Sequence, residues 1–213
     1  MSSVTIPPHM EHLPLDKHGR PIPWFVAELL DGSRDFRIAR RHGVSQAVTR
    51  SLCWVCGRKR TNLAAFVIGP MCAVNRNNAE PPCHQECALY SVKACPFLSR
   101  PEMRRRDTDI PDDVAMPGMP ILRNPGVAGV WVSKTWKPYA AMIPGGEPGL
   151  LFDLGDPVAV SWWTAGRSAT GDEVRAAIDS GMPKLAETLD ADDKQGRALL
   201  TFYRRRVEEM LPA

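Results

Sequence analysis

Two pairs of metal-binding side chains are the most distinctive chemical feature of this 213-residue chain. Cys53 and Cys56 are separated by two residues, a spacing at which a tight turn aims both sulfurs at one ion. Gly57 follows them and can relieve steric strain of the backbone in such a turn. His84 and Cys87 repeat the spacing at the predicted start of a helix, where positions three apart share a face. Together they predict a tetrahedral Zn²⁺ site of three thiolates and one imidazole.

The fourth ligand has two candidates. Cys83 lies four positions before Cys87 and His84 lies three before it, and both separations place the side chains on one helix face. Because two intervening residues are the usual spacing at such a helix start, we expect His84 to be the ligand and keep Cys83 as the alternative. Cys72, in a Gly-Pro-Met-Cys turn, and Cys95 are expected to be small buried hydrophobic residues.

The segment between the two pairs predicts the elements that position them. Residues 63–68 form an apolar run typical of a strand, and Pro81-Pro82 suits the start of a helix, where a proline has no hydrogen bond to lose. The turn 53–57, which we call the knuckle, is followed by a predicted β-hairpin and by a helix whose first turn supplies two ligands. This order of elements is a treble-clef arrangement. The basic run 58–60 follows the knuckle and offsets the negative charge of the thiolates.

A catalytic interpretation of the metal site is the alternative hypothesis. A catalytic zinc keeps one coordination position open. His84-Gln85-Glu86 matches the His-x-Glu of zinc deaminases, but there the motif precedes a Pro-Cys-x-x-Cys run. Here the order is reversed and Cys87 is a surplus ligand. A zinc-dependent hydrolase or deaminase with an open metal position is therefore less favoured than a closed site.

Composition and patterning divide the chain into four regions and predict an α+β fold. These are an N-terminal arm and hairpin (1–43), the zinc-binding module (44–98), a linker rich in proline and arginine (99–126), and a small antiparallel sheet followed by helices (127–213). The hairpin is indicated by Asp31-Gly32 between two apolar runs, because both turn positions favour positive φ.

The last region shows strand patterning first and helix patterning afterwards. Alternating β-branched and aromatic residues predict strands over 127–136, 138–143, 149–153 and 157–163. Thr170 and Glu173 form a capping box that opens a helix, which Gly181 and Pro183 are expected to end. A final amphipathic helix is expected over 192–211.

Charge is distributed unevenly along the chain. Residues 1–106 hold 16 Lys and Arg against 8 Asp and Glu, and residues 107–213 hold 11 against 16, giving +8 and −5 within the overall +3. The two halves either attract each other or mark a basic half that faces nucleic acid or a protein partner. The candidate nucleic-acid contacts are Arg37, Arg40, Arg41, Arg58, Lys59, Arg60, Arg104, Arg105 and Arg106.

Cysteine usage and the N-terminus bear on the compartment. The longest apolar run is too short to cross a bilayer, and the N-terminus lacks a basic segment followed by an apolar stretch. Without export, two closely spaced pairs among the six Cys favour a metal over disulfides. We therefore expect a cytoplasmic protein.

Specific motifs are spread over most of the chain. They are Pro21-Ile22-Pro23-Trp24-Phe25-Val26, Asp31-Gly32, Asp35-Phe36-Arg37, Cys53-Trp54-Val55-Cys56-Gly57, Phe66-Val67-Ile68-Gly69-Pro70-Met71-Cys72, Asn75-Arg76, Glu80-Pro81-Pro82-Cys83-His84 leading to Cys87, Cys95-Pro96-Phe97-Leu98 and Gly166-Arg167 through Glu173. Together they resemble a group of bacterial and phage hypothetical proteins. The resemblance implies phage or mobile-element ancestry and no particular activity. The sequence therefore predicts a zinc-stabilised protein that acts by binding.

Overall fold

Helices and small antiparallel sheets are mixed along the chain, so the fold is α+β, as predicted. The predicted linker falls largely on residues 105–107 and 109–123, which lie outside the described residues. None of the described helices is long and apolar enough to cross a membrane. The computed structural model describes residues 4–104, 108, 124–142, 148–190 and 192–212.

Six α-helices and one short 3-10 helix, Pro8–Met10, lie within the described ranges. The α-helices are α1 (Gly43–Thr49), α2 (Pro70–Asn75), α3 (Gln85–Ala94), α4 (Pro96–Ser99), α5 (Gly171–Ala186) and α6 (Lys194–Glu208). The predicted capping box is confirmed at the start of α5, where the Thr170 hydroxyl accepts from the Glu173 amide and Glu173 accepts from the Thr170 amide.

Nine strands form three antiparallel sheets in the part of the chain that the structure describes. They are β1 (Val26–Glu28), β2 (Arg34–Ala39), β3 (Ala64–Ile68), β4 (Asn77–Asn78), β5 (Ala128–Ser133), β6 (Lys137–Met142), β7 (Pro148–Asp153), β8 (Pro157–Thr164) and β9 (Arg167–Ser168). The sheet orders are β1-β2, β3-β5-β8-β9 and β4-β7-β6. The predicted N-terminal hairpin and the four predicted C-terminal strands are confirmed.

The strand predicted between the ligand pairs is present as β3, but its partner is not a neighbouring hairpin strand. β3 pairs with β5 over five residue pairs, and the return pairing is a single bridge between Ala65 and Cys83. The predicted Gly-Pro-Met-Cys turn is wrong, since Pro70 occupies the first position of α2 and its fixed φ suits a helix start. The predicted zinc and C-terminal regions therefore share one sheet.

The prediction that Gly181 and Pro183 end a helix is also wrong, because α5 continues through both. A Cβ at position 181 would lie 2.7 Å from the Met71 sulfur, so the absence of a side chain there lets α5 approach α2 closely. Packing between the two helices overrides the local stop signal. The final helix is confirmed as α6.

Two buried clusters cover the two faces of the β3-β5-β8 sheet. Successive residues of a strand point to opposite faces, so Ala65 and Val130 join one cluster while Phe66 and Trp131 join the other. The first cluster also contains the cysteines of the knuckle, α3 and the N-terminal arm. The second contains residues of α2, α5 and α6. The sheet thus separates the candidate metal centre from the C-terminal helices.

Candidate metal centre

The structure brings the two candidate ligand pairs together, and their three cysteines belong to the first cluster. The candidate ligand atoms of Cys53, Cys56, His84 and Cys87 all lie within 4.8 Å of one another. The three cysteines are fully buried and His84 is 8% exposed. Three sulfurs and one nitrogen in this arrangement could hold a metal ion.

Backbone hydrogen bonds shape the knuckle that carries the first pair. The Cys53 amide donates to the Arg58 carbonyl and the Gly57 amide donates to the Cys53 carbonyl, each at 2.8 Å. The Cys56 amide points at the Cys53 sulfur, 3.4 Å away. Gly57 has φ +72°, and a Cβ there would lie 2.4 Å from a ring carbon of Trp24. Both the backbone conformation and the packing therefore require glycine at position 57.

The second pair is presented by the first turn of α3. His84 is the N-cap residue and Cys87 is the third helical residue, so their side chains face the knuckle from one turn. The Pro82 carbonyl accepts from the Trp54 amide at 3.2 Å, and the His84 amide donates to the Cys53 sulfur at 3.3 Å. These contacts join the helix start directly to the knuckle.

The ring of His84 is oriented by contacts at both nitrogens. Nδ1 lies 3.3 Å from the Cys56 sulfur and 3.9 Å from the Cys87 sulfur, whereas Nε2 lies 3.2 Å from the Lys59 carbonyl oxygen. A carbonyl accepts only from N–H, so this contact places the proton on Nε2 and leaves Nδ1 free to bind a metal. Metal-bound histidines are commonly oriented in this way.

Cys83, the alternative candidate ligand, lies beside the four candidate ligands, but its thiol hydrogen points to a backbone carbonyl. The single hydrogen of its thiol is directed to the Ala65 carbonyl, 3.2 Å away, and is shared with the neighbouring Cys53 sulfur. The hydrogen bond with Cys53 and burial raise the pKa of Cys83 well above that of a free thiol. The candidate ligand atoms that lie within 4.8 Å of one another include His84 and do not include Cys83.

The group of four candidate ligands stabilises one thiolate and disfavours the ionisation of further thiols. Burial disfavours the Cys53 thiolate, but hydrogen bonds with Cys56 and other neighbouring side chains outweigh burial and lower the pKa of Cys53. The hydrogen bond to Cys53 raises the pKa of Cys56 to about 11 and also raises the pKa of Cys87. Three thiolates at this separation therefore need a cation among them, as a bound divalent metal provides.

A half-buried arginine supplies positive charge behind the cluster. Arg60 lies close enough to Cys53 and Cys83 to interact with their charges, although burial lowers the pKa of Arg60. Its guanidinium carbon is 5.1 Å from the centre of the Trp136 ring, and its Nε donates to the Leu52 carbonyl. The position of Arg60 is better suited to charge compensation than to contact with a partner.

Two other predicted nucleic-acid contacts are also engaged within the molecule. Arg37 forms an ion pair with Asp35 at 2.6 Å and is half-buried. The Arg40 guanidinium carbon lies 4.9 Å from the centre of the Trp24 ring, and Arg40 donates to the Trp24 carbonyl. The remaining described candidates, Arg41, Arg58, Lys59 and Arg104, are exposed, and Arg105 and Arg106 lie outside the described residues.

His9 is a neighbour of the centre that sequence reasoning missed. Its ring stacks on that of His84 with centroids 4.4 Å apart and planes inclined by 10°, and its Nε2 lies 3.4 Å from a Glu86 oxygen. The arm that carries it is anchored by Met10, which is 1% exposed. Nothing local in the sequence distinguishes His9 from His12, because the contact spans 75 positions of the chain.

Comparisons with known proteins do not link this candidate metal centre to a known family. No protein-family model, no curated protein and no solved structure matches the chain. The phage or mobile-element ancestry implied by the resemblance therefore stays a prediction.

Proposed function

We propose that the four-residue cluster binds one Zn²⁺ as a structural centre and that the protein binds nucleic acid through the surface around the knuckle. Three thiolates and one imidazole are a typical ligand set for structural zinc. Four protein ligands fill a tetrahedron, whereas a catalytic zinc keeps a position for water. The hydrolase or deaminase alternative therefore has less support than a closed centre.

The observation that carries the binding role is the charge of the segment around the knuckle. Residues 36–79 contain eight Lys and Arg and no Asp or Glu. A stretch of this kind cannot neutralise its charge locally, so its cations are neutralised from elsewhere in the molecule or by an anionic partner. Phosphate backbones are the anionic partners that such surfaces commonly bind.

Besides Arg40, which contacts Trp24, four cations of this segment are exposed and have no ion pair among the described residues; we call them the knuckle cations. They are Arg41, Arg50, Arg58 and Lys59. Helix α1, roughly 10 Å long at 1.5 Å per residue, lies between Arg41 and Arg50. Lys59 forms a bridge with Leu52, two positions beyond Arg50. Three of the four knuckle cations thus lie on adjoining backbone segments.

A salt titration tests the proposal. Binding of a labelled oligonucleotide by zinc-loaded protein should weaken with salt, with a slope of log K against log salt of about −3 to −4 if all four knuckle cations contact phosphates. Arg58→Ala/Lys59→Ala should reduce the slope by about 1.5 to 2. Fluorescence anisotropy at several salt concentrations measures both quantities.

The matched control is Lys184→Ala/Lys194→Ala, which removes the same charge from exposed positions of α5 and α6. This double variant should retain the wild-type slope. A protein that binds no oligonucleotide even at low salt, but captures one host protein reproducibly, would overturn the nucleic-acid role and favour a protein partner.

A further inference from the structure

A groove separates the N-terminal arm from the β1-β2 hairpin, on the hairpin side of the molecule. Its volume is about 590 Å³, within the range of sites that hold small ligands. One wall is the turn 14–22 and the other includes β2 and the turn at Gly32. Each wall of the groove thus comes from one short, continuous segment of the chain.

Two exposed apolar side chains converge on this groove. Leu15 is 56% exposed and Phe36 is 44% exposed, and both line the groove, Leu15 from the turn 14–22 and Phe36 from β2. Exposed apolar residues are ordinary when they are scattered singly, but a pair that shares one groove indicates a ligand with an apolar surface. Phe36 in particular offers an accessible aromatic ring.

The arm-side wall is held in place before any ligand binds. A bridge between Leu15 and Pro21 closes the turn. Within it, the Asp16 carboxylate accepts from the amides of His18 and Arg20 at 2.8 and 2.9 Å and from the Arg20 side chain at 2.8 Å. Because these hydrogen bonds already fix the wall, little conformational entropy is lost there when a ligand binds.

The charges around the groove favour an anionic ligand. The two carboxylates that line it are neutralised, Asp16 by Arg20 and Glu28 by Arg34. Lys17 is exposed at the rim and has no ion pair among the described residues. The site therefore offers an exposed aromatic ring, a second exposed apolar side chain and one uncompensated cation, a combination that fits a flat base joined to a phosphate.

We infer that this groove holds an unpaired base of single-stranded nucleic acid, stacked on Phe36, with its phosphate near Lys17. The inference rests on the proposed function and specifies its substrate, because a base inside a duplex cannot reach the groove without leaving its stack. The protein should then bind single strands more tightly than duplexes of the same length.

Phe36→Leu tests the role of the aromatic face, since it keeps an apolar side chain but removes the ring. With a labelled single strand of about 15 nucleotides, the variant should bind roughly 5- to 100-fold more weakly, and Phe36→Trp should bind at least as well as the wild type. Binding of a duplex of equal length should be unchanged. Phe36 is half exposed, so zinc content and melting temperature should stay at wild-type values.

Val158→Ala is the matched control, because Val158 is an exposed apolar residue (55%) on β8, outside the groove. It should leave binding of the single strand unchanged. If both strand types bind with the expected salt slope but Phe36→Leu has wild-type affinity, the groove inference is wrong and the proposed function stands. A peptide ligand in the groove would give that same result. If neither strand binds, the proposed function itself fails.

Discussion

At the residue scale, the choice between His84 and Cys83 depends on what each side chain already contacts. His84 directs Nδ1 toward the sulfurs of Cys56 and Cys87 because Nε2 is fixed by the Lys59 carbonyl. Cys83 directs its thiol hydrogen to the Ala65 carbonyl, in the same residue pair that makes the bridge to β3. His84 therefore presents a ring nitrogen that can bind a metal, whereas the Cys83 thiol makes a hydrogen bond to the backbone of β3.

His84→Ala should therefore remove most of the bound zinc. Loss of a residue that merely orients a ligand lowers metal affinity by 10- to 100-fold, so loss of the ligand itself should exceed about 100-fold. Elemental analysis of purified protein and competition with a chromogenic chelator measure content and affinity. The wild type is expected to carry one zinc per chain.

Cys83→Ala is the paired variant, and it should keep full zinc occupancy while losing some stability from the buried thiol contact. The reverse outcome, zinc retained by His84→Ala and lost by Cys83→Ala, would mean an all-thiolate site. Retention by both single variants would mean three firm ligands and would reopen the catalytic alternative.

At the element scale, the start of α5 shows how local sequence chemistry is reinforced by an ion pair. Glu173 accepts from the Thr170 amide and also forms an ion pair with Arg167 at 2.6 Å. The hydrogen bond from Arg167 and the Thr170 amide lower the pKa of Glu173 from 4.5 to about 2. Its contribution to stability is thus complete above pH 4.5 and is lost as the pH falls toward 2.

Thr170→Ala should destabilise the protein by about 1 kcal/mol, because it leaves a first-turn amide of α5 without its cap. Since Glu173 stays ionised throughout the neutral range, the loss should be the same near pH 6 and near pH 8. Urea unfolding of the zinc-loaded protein measures it.

Thr201→Ala is the control at an exposed interior position of α6, where the threonine hydroxyl donates to the Arg197 carbonyl. Alanine has the higher helix propensity, so this variant should be neutral or more stable by a few tenths of a kcal/mol. Equal destabilisation by both substitutions would count against the capping role.

At the scale of the whole molecule, the candidate metal centre and the C-terminal helices are coupled through one sheet. β3 contributes alternate residues to both buried clusters, and Ala65 is joined to Cys83, next to the candidate ligand His84. A change at the centre can therefore reach β5 and β8 through hydrogen-bonded pairs. The regions drawn from the sequence, 44–98 and 127–213, meet along this sheet.

Removing zinc with a chelator should consequently unfold both clusters together. The free energy of binding a structural zinc is on the order of 10 kcal/mol or more, comparable to the whole stability of a typical domain. Hydrogen exchange followed by mass spectrometry should show amides of α3 and of β5 and β8 losing protection at the same chelator concentration.

Cys56→Ala should reproduce the chelated pattern without chelator, which controls for effects of the reagent. Continued protection of β5 and β8 while residues 44–98 exchange would instead mean that the two regions are independent units. The sequence boundaries would then describe the protein better than the shared sheet does.

Features that depend on neighbours in the chain were predictable from the sequence. The spacing of Cys53 and Cys56 anticipated the knuckle, Asp31-Gly32 anticipated the hairpin, and Thr170 with Glu173 anticipated the start of α5. Each of these depends on backbone geometry over a few residues, which residue types and their spacing report directly.

Features that depend on contacts between distant segments were not predictable from local patterns in the sequence. The pairing of β3 with β5, the glycine contact between Gly181 and Met71 that carries α5 past its predicted end, and the stacking of His9 on His84 all join residues far apart in the chain. Periodicity shows that a strand or helix has a face to bury, but not which distant surface covers it. That choice is made by packing and hydrogen bonding over the whole molecule, which no single segment encodes.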